Sequence, residues 1–288
     1  MKEKSTQPPQ PGILEHLDAL AEAEGFWEAD LHYRPESAYR TLCLNGAAVL
    51  DPFTGSTEVR KGRYPVLRPF AAAPPQVSPA QALDKIKRHL RWKLLAPGRI
   101  RRGCRNGSNL RGVLLPFWTF DFTAVARYPA QSDSPGGRLQ KHFSDIVVPA
   151  SQALSRQEFD FLQALPLDQV QPFRKSHFRH FYQEHYSKDW KEAFQEAARS
   201  AERKLESEHA LAANVSVPPE SLRMSYQDVA FKLLLLPVWI VAFPYGEDHW
   251  RALVDAQSGR LLTDVPRSPL RIAACAAILL ALLLWLLI

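Results

Sequence analysis

Cysteine is scarce in this chain: three residues, Cys43, Cys104 and Cys275, occur among 288. They are widely separated, and Cys275 lies in an apolar run near the C-terminus. Neither a disulfide framework nor a four-thiolate zinc site can be built from them within one chain. We therefore expect no structural metal and no cofactor.

Motifs of known catalytic chemistry are also missing. The chain contains no G-x-S-x-G, no H-E-x-x-H and no glycine-rich phosphate loop, so no nucleophile or general base stands out. His177, His180 and His185 lie in one aromatic stretch, but their spacing matches no accepted metal-ligand motif. The sequence favours a protein that is not an enzyme.

Charge is absent from the terminal run 272–288, which also lacks proline and glycine. As a helix this run spans about 25 Å, near the roughly 30 Å hydrocarbon core of a bilayer, whereas a soluble helix normally carries a polar face. A buried C-terminal helix is the alternative. We predict a membrane anchor over 270–288, with the following members: Arg271, Ile272, Ala273, Ala277, Ala281, Trp285 and Ile288.

An export signal is not expected from the first residues either. Residues 1–12 contain charge and proline but no apolar segment, so we expect no signal peptide. Arg267 and Arg271 precede the terminal run and no charge follows it. By the positive-inside rule, the rest of the chain faces the cytoplasm, and the protein is expected to be single-pass and tail-anchored.

The rest of the chain has the composition of a folded protein, since the whole sequence is 46% hydrophobic and 23% charged. Ser78, Pro79 and Gln81 form the start signal of a helix whose apolar stripe ends before Pro97. Residues 110–128 are rich in β-branched and aromatic side chains, which predicts strands. These patterns indicate an α+β fold.

The same order recurs further along. A second predicted helix begins at Ser187, and an apolar stretch over 231–245 follows. The strings LLPFW and LLPVW place Pro116 and Trp118 in the first stretch where Pro237 and Trp239 stand in the second. This favours an internal duplication of a helix-plus-antiparallel-sheet unit, with chance similarity as the alternative.

Turn signals end the second unit. Residues 238–245 and 249–254 predict a hairpin, and DAQSG over 255–259 predicts a turn that Asp255 caps and in which Gly259 takes a positive φ. The predicted segments are 1–38 with a short helix over 13–24, 39–70 as a small hairpin around Asp51 to Gly55, 71–150 as the first unit, 151–186 as a linker, 187–266 as the second unit, and the anchor.

Acidic residues are absent between Lys85 and Arg111, where ten Lys or Arg occur, against a net charge of +6 for the whole chain. Such a patch can hold anionic headgroups or nucleic acid, or be a solvated helix face. We favour lipid because nucleic acid binding is expected to add exposed aromatic residues, and Trp92 and Phe117 are assigned to the core. The candidate residues are Lys85, Lys87, Arg88, Arg91, Arg99, Arg101, Arg102 and Arg105.

Four segments are notable: 114–121 (LLPFWTFD), 143–151 (FSDIVVPAS), 232–240 (KLLLLPVWI) and 254–261 (VDAQSGRL), followed by Pro266 and the terminal apolar run. Together they resemble a family of bacterial membrane proteins with an N-terminal TFIIB-type zinc ribbon, often labelled primosomal-protein or helicase-like. The family's ribbon has two C-P-x-C-G knuckles around a D-P-x-T-G turn. Here the turn over 51–55 is intact but only Cys43 of the knuckles remains, so we expect a degenerate ribbon without zinc.

The resemblance implies a scaffold or adaptor in the bacterial inner membrane that binds other membrane-associated proteins, such as SPFH or phage-shock-type proteins. The alternatives are a PepSY-like regulator of a peptidase, by analogy of fold alone, and a nucleic-acid-binding protein held at the membrane. Ala273, Ala277 and Ala281 share one helical face, which favours self-association in lipid. The alternative is that alanine is simply common in membrane spans.

Overall fold

The computed structural model describes residues 11–33, 40–42, 60–93, 95–104, 107, 109–128, 137–152, 154–162, 167–178, 181–213, 223–245, 248–268, 271–273 and 276–278. The helices that pack on the sheet are α1 (Pro11–Glu24), α2 (Pro79–Trp92), α3 (Gly98–Gly103), α4 (Arg156–Leu162) and α5 (Trp190–Ala213). The strands are β1 (Phe26–Tyr33), β2 (Arg40–Leu42), β3 (Arg60–Leu67), β4 (Ala71–Ala72), β5 (Leu110–Tyr128), β6 (Gly137–Pro149), β7 (Gln171–Pro172), β8 (Phe181–Glu184), β9 (Arg223–Tyr245), β10 (Asp248–Asp255) and β11 (Leu261–Thr263). The predicted α+β class is confirmed.

All these strands join one mixed sheet. Its main order is β11-β10-β9-β5-β8-β2-β1-β3, while β6 pairs with β5, and β4 pairs with β7 and β9. The two longest strands, β5 and β9, run antiparallel at the centre, from Leu110 opposite Val241 to Arg127 opposite Arg223. The remaining strands are arranged on either side of this pair.

The two faces of the central pair carry separate cores, because successive side chains of a strand point to opposite faces. One face bears Leu114, Trp118 and Phe120 of β5 and is covered by α1, α2 and α5. The other face bears Val113, Leu115 and Phe117, and Leu162 of α4 packs against it. Covering by helices on both faces buries the apolar runs of β5 and β9 throughout.

Local sequence signals explain where the long helices begin and end. At the start of α2, the Ser78 hydroxyl accepts from the Gln81 N–H and the Gln81 side chain accepts from the Ser78 N–H, which completes the predicted capping box. At the start of α5, the Asp189 carboxylate accepts from the Glu192 N–H at 2.8 Å. Helix α1 ends at Glu24 and is followed by Gly25, whose φ is +82°.

The turn after β10 has the predicted chemistry. The Asp255 carboxylate accepts from the Gln257 N–H at 2.9 Å and from the Ser258 hydroxyl, and Gly259 has φ +72°. Strands β9 and β10 pair as predicted, with Tyr245 opposite Asp248. Residues 246–247 of that hairpin lie outside the described residues.

The N-terminal region contains a strand that the sequence patterns did not indicate. Strand β1, within the segment predicted as an extension over 1–38, pairs with both β2 and β3 and lies between them. The degenerate ribbon-like hairpin was predicted over 39–70, and its central residues 43–59, around Asp51, lie outside the described residues. The two strands that flank those residues pair with β1 rather than with each other.

The segment predicted as a linker, 151–186, contains ordered elements. Helix α4 begins with a second capping box, in which the Glu158 carboxylate accepts from the Ser155 N–H at 2.8 Å and the Ser155 hydroxyl accepts from the Glu158 N–H. The same carboxylate lies 3.0 Å from the Arg251 guanidinium on β10. This ion pair fixes α4 against the face of the sheet that the long helices leave uncovered.

Candidate functional site

The predicted basic patch lies where α2 ends and α3 begins. The Arg101 guanidinium donates to the carbonyls of Lys93 and Arg91 at 2.8 and 3.3 Å, and so attaches α3 to the C-terminal end of α2. These carbonyls have no partner within the helix, and a cation beside them also complements the helix dipole. We call residues 88–93 and 95–103 the basic corner.

The structure divides the predicted basic residues into two groups. Lys85 donates to the Gly259 carbonyl at 2.7 Å, Arg101 holds the α2 end, and Arg88 pairs with Asp84 on the same helix. These three cations have structural partners. The second group faces solvent and consists of Arg91, Lys93, Arg99 and Arg102; Arg102 also donates from Nε to the Gly98 carbonyl at 3.4 Å within α3. Lys87 is half-buried, and Arg105 lies outside the described residues.

Two further titratable groups at the basic corner, Cys104 and His89, add no charge at neutral pH. Burial raises the pKa of the Cys104 thiol from 9.0 to about 11, against the opposing effect of the nearby Lys87 charge. Burial and then the charge of Lys93 lower the pKa of His89 below 6.5. The corner therefore owes its positive charge to Arg and Lys alone.

Trp92 was predicted to be a core residue, and this prediction is wrong. Its side chain is 80% exposed, whereas Phe117 is fully buried as predicted. The buried stripe of α2 consists of Ala82, Ile86 and Leu90. Two residues beyond Leu90, a side chain has turned about 200° around the helix axis and points away from the sheet.

The start of the predicted anchor lies against the basic corner. The Ser268 N–H donates to the Leu95 carbonyl at 2.8 Å, which ties the chain leaving β11 to the connection between α2 and α3. Helical residues then begin at Arg271. A β-carbon placed on Gly98, the first residue of α3, would lie 3.5 Å from the Arg271 guanidinium. The terminal run therefore leaves the folded body at this corner.

Part of the predicted anchor is described, and those residues are exposed. Ile272 and Ile278 are 44% and 60% exposed, and Ala273 and Ala277 are exposed as well. Ala281, Trp285 and Ile288 lie outside the described residues. Within the ranges that the structure describes, no helix is both long enough and apolar enough to cross a bilayer. The anchor thus stays a prediction from the sequence.

The two repeat tryptophans make corresponding hydrogen bonds. Trp118 is fully buried, and its indole N–H donates to the Lys188 carbonyl at 2.9 Å. Trp239 is 5% exposed, and its indole N–H donates to the Val77 carbonyl at 2.7 Å. Each acceptor is the residue immediately before the capping residue of a long helix. Each tryptophan binds the helix start that belongs to the other predicted unit.

The backbone around the repeat prolines corresponds in the same way. The Ala150 N–H donates to the Pro116 carbonyl, and the Ala150 carbonyl accepts from Ser187 and Lys188. In parallel, Ala256 donates to Pro237 and its carbonyl accepts from Gln76 and Val77. All six distances lie between 2.8 and 3.1 Å. The two networks thus match bond for bond.

Two short strands complete the correspondence. Strand β4 runs parallel to β9, with Ala72 opposite Leu235, and β8 runs parallel to β5, with Gln183 opposite Leu114. The interval along the chain from Ala72 to Gln183 equals the interval from Val77 to Lys188, the two indole acceptors. The central register places Leu115 opposite Leu236, the pair through which a local two-fold axis would pass.

The histidine stretch does not come together as a site in the part of the chain that is described. His177 is exposed in the 3-10 turn Lys175–Phe178, His185 follows β8, and His180 lies outside the described residues. Groups of three or more His, Cys, Asp or Glu placed to hold a metal are not found among the described residues. Cys43, the remaining knuckle residue, lies outside them.

The exposure of Trp92 and the contact between Ser268 and Leu95 are the features of this corner that sequence patterns missed. The helical position of Trp92 relative to the apolar stripe was a signal for the first, and no sequence signal marks the second. Comparisons of the chain with protein-family models, with curated proteins and with solved structures give no match.

Proposed function

We propose that the protein is a tail-anchored, cytoplasm-facing scaffold of the bacterial inner membrane that binds other membrane-associated proteins. The observation that supports this best is the position of the terminal apolar run. It leaves the body beside the exposed arginines, and Ile272 and Ile278 are exposed rather than packed on the sheet. Exposed apolar residues in such a run call for lipid or a partner to cover them.

The body of this scaffold is, in our proposal, two related units of one short strand, a helix and two antiparallel strands. The first unit, predicted over 71–150, comprises β4, α2, β5 and β6. The second unit, predicted over 187–266, contains α5, β9 and β10, and to these we add β8 from the segment that was predicted as a linker. The matched hydrogen bonds of Trp118 and Trp239, and the equal intervals from Ala72 to Gln183 and from Val77 to Lys188, support a duplication over chance similarity of two short strings. Two related units offer a partner two similar surfaces.

The resemblance to the TFIIB-type zinc-ribbon membrane proteins remains part of the proposal, with a degenerate ribbon that binds no zinc. Partners of the SPFH or phage-shock type, together with membrane lipids, fit a scaffold of this kind. A PepSY-like regulator would instead bind a peptidase. Neither the basic corner nor the central pair groups side chains in a way that suggests a reaction, so we propose no enzymatic activity.

Membrane attachment is tested by fractionation of cells that produce the full chain. We expect the protein to stay with membranes after alkaline carbonate washing, and a chain that ends after Arg267 to lose this property. The matched control replaces residues 272–288 by an unrelated single-pass anchor, which should restore attachment. A full chain that carbonate releases contradicts the proposal.

Partner binding is tested by crosslinking in intact cells, detergent solubilisation and mass spectrometry. The chain with the unrelated anchor serves as the second bait, because partners that bind the body should be recovered with both. Recovery of membrane scaffold proteins supports the proposal. Recovery of a peptidase supports the regulator, and DNA that is lost at high salt supports the nucleic-acid alternative.

Self-association through the terminal helix is tested with Ala277→Leu in a membrane two-hybrid assay. Leucine keeps the helix apolar but fills the seam of Ala273, Ala277 and Ala281, so the signal should fall. Ala276→Leu is the control, since position 276 lies about 100° around the helix from 277. Equal signals for both variants and the unchanged chain would leave the terminal run a simple tether.

A further inference from the structure

We propose that the basic corner is a docking face for anionic phospholipid headgroups, and that Trp92 enters the membrane interface there. The inference rests on the proposed anchor and specifies which face of the body meets the bilayer. It is carried by the coincidence of three features in one place: exposed arginines, an exposed tryptophan, and the start of the terminal apolar run.

The charge of this face is uncompensated along the chain. Arg91, Arg99 and Arg102 are exposed, and Asp84, the nearest acidic residue before them in sequence, is paired with Arg88. The acidic residue that follows them, Asp121, lies on β5 and pairs with Lys232. Guanidinium groups bind phosphate oxygens in two-pronged geometry, and anionic leaflets attract such residues within about one Debye length.

Trp92 is the second feature. Its indole, 80% exposed at the end of a helix, presents a large apolar ring with a polar N–H to the surroundings, and tryptophan is enriched at the level of lipid headgroups. It stands between Arg91 and Lys93 in the sequence, and both of these cations are exposed. Large apolar residues of the body are otherwise largely buried in the described ranges; Phe70, at 48%, is the next most exposed of them outside the terminal run.

The third feature selects lipid over nucleic acid as the occupant. Ser268 is bonded to Leu95, and Arg271 lies beside Gly98, so the anchor enters the bilayer next to α3. A headgroup near the anchor is therefore held at high effective concentration against Arg99 and Arg102. A nucleic acid would have to displace that headgroup from the same face.

The test uses the full chain in nanodiscs of phosphatidylcholine, and in nanodiscs in which phosphatidylglycerol makes up about a third of the lipid. The difference between the emission spectra of the unchanged chain and the Trp92→Phe variant reports Trp92 alone. We expect a blue shift of this signal, and its quenching by headgroup spin labels, in the anionic nanodiscs only. Added salt should reverse both changes.

The charges are tested with the triple variant Arg91→Gln, Arg99→Gln, Arg102→Gln. We expect each arginine to raise the ratio of docked to undocked body by roughly a factor of five. In the triple variant this ratio should therefore fall about a hundredfold. The matched control neutralises Arg127, Arg203 and Arg223, which are exposed elsewhere on the body. This control should behave as the unchanged chain.

The outcomes separate the two proposals. A chain that enters both kinds of nanodisc but gives the same Trp92 signal in each overturns the docking face and leaves the anchor intact. A chain that enters neither overturns the anchor and the docking face together. A Trp92 signal that responds to added DNA and not to phosphatidylglycerol also overturns the inference, in favour of nucleic acid.

Discussion

The matched tryptophans predict a matched loss of stability. Phenylalanine at position 118 or 239 removes the indole N–H and leaves the carbonyl of Lys188 or Val77 without that donor. Trp92→Phe is the control, because Trp92 is 80% exposed. The three variants make the same chemical change at two corresponding sites and at one surface site.

The expected magnitude follows from the contacts of each ring. At each site the lost indole hydrogen bond and the unsatisfied carbonyl cost about 1–2 kcal/mol, because the Trp118–Lys188 and Trp239–Val77 bonds are only partly buried. The smaller phenylalanine ring leaves a methyl-sized void, which costs about 1 kcal/mol more. Trp118 also contacts the rings of Tyr186, Trp190 and Phe231 at 5.3–6.2 Å, while Trp239 contacts Phe181 at 4.7 Å. We expect the free energy of unfolding to fall by about 3 kcal/mol in Trp118→Phe, by about 2 kcal/mol in Trp239→Phe and by under about 0.5 kcal/mol in Trp92→Phe.

Urea unfolding of the full chain in a non-ionic detergent, followed by circular dichroism, measures these differences. Trp118 and Trp239 lie about six residues apart along the paired strands, roughly 20 Å. At this separation the two effects should add, so the stability lost in the double variant should equal the sum of the losses in the two single variants. A loss at only one site would refute the correspondence of the two networks. A loss at 92 as large as at 118 would refute the assignment of the effect to the indole bonds.

Three further predictions concern single buried groups. Burial, opposed by the hydrogen bond from Tyr226, raises the pKa of Glu202 above 4.5. The folded chain therefore holds this proton more tightly than the unfolded chain does. The free energy of unfolding should accordingly fall as pH rises above 4.5. Glu202→Gln keeps an acceptor for Tyr226 and should flatten that decline in urea titrations across this range; an unchanged slope would mean that other groups set it. With the other two cysteines replaced by serine, Cys104 should react with a maleimide at least about a hundredfold more slowly than an exposed thiol of pKa 9.0. Burial raises its pKa to about 11, which lowers the thiolate fraction, and burial also limits access of the reagent. Rapid labelling of the folded chain would contradict the buried site. Glu158→Gln should destabilise the fold by about 2–3 kcal/mol, since it leaves Arg251 opposite an uncharged partner. The double variant Glu158→Gln, Arg251→Met should recover part of this stability in the same urea assay. Equal losses of stability in the single and double variants would show that the pair is not coupled.

Elements with a complete local signal could be predicted from the sequence. Helix α2 has a capping box, proline at its first position and a short apolar stripe, all within about four turns of helix. The turn after Asp255 has an equally local signal, because the Asp255 carboxylate accepts within the turn and Gly259 supplies the positive φ. In such cases the residues that stabilise the element are close together in the sequence, so the sequence pattern predicts the element directly.

Elements held by distant partners could not be predicted in this way. Strands β4 and β8 are too short to show a period of two, and each exists because a long strand far away along the chain offers it a free edge. The contact of Ser268 with Leu95, which places the anchor beside the basic corner, is also between backbone groups and leaves no trace in side-chain identity. Trp92 is different: its position off the apolar stripe was visible, but its aromatic character suggested a core.

The exchange of contacts between the two halves has a consequence for how the chain can be divided. Strand β4 and the start of α2 are held by β9 and by Ala256, while β8 and the start of α5 are held by β5 and by Ala150. Each half therefore resembles one subunit of an intertwined homodimer, joined to its mate by a covalent tether. A cut between Gln169 and Gln171 should yield two fragments that remain unstructured when produced alone and reconstitute the sheet when produced together, as complementing fragments do.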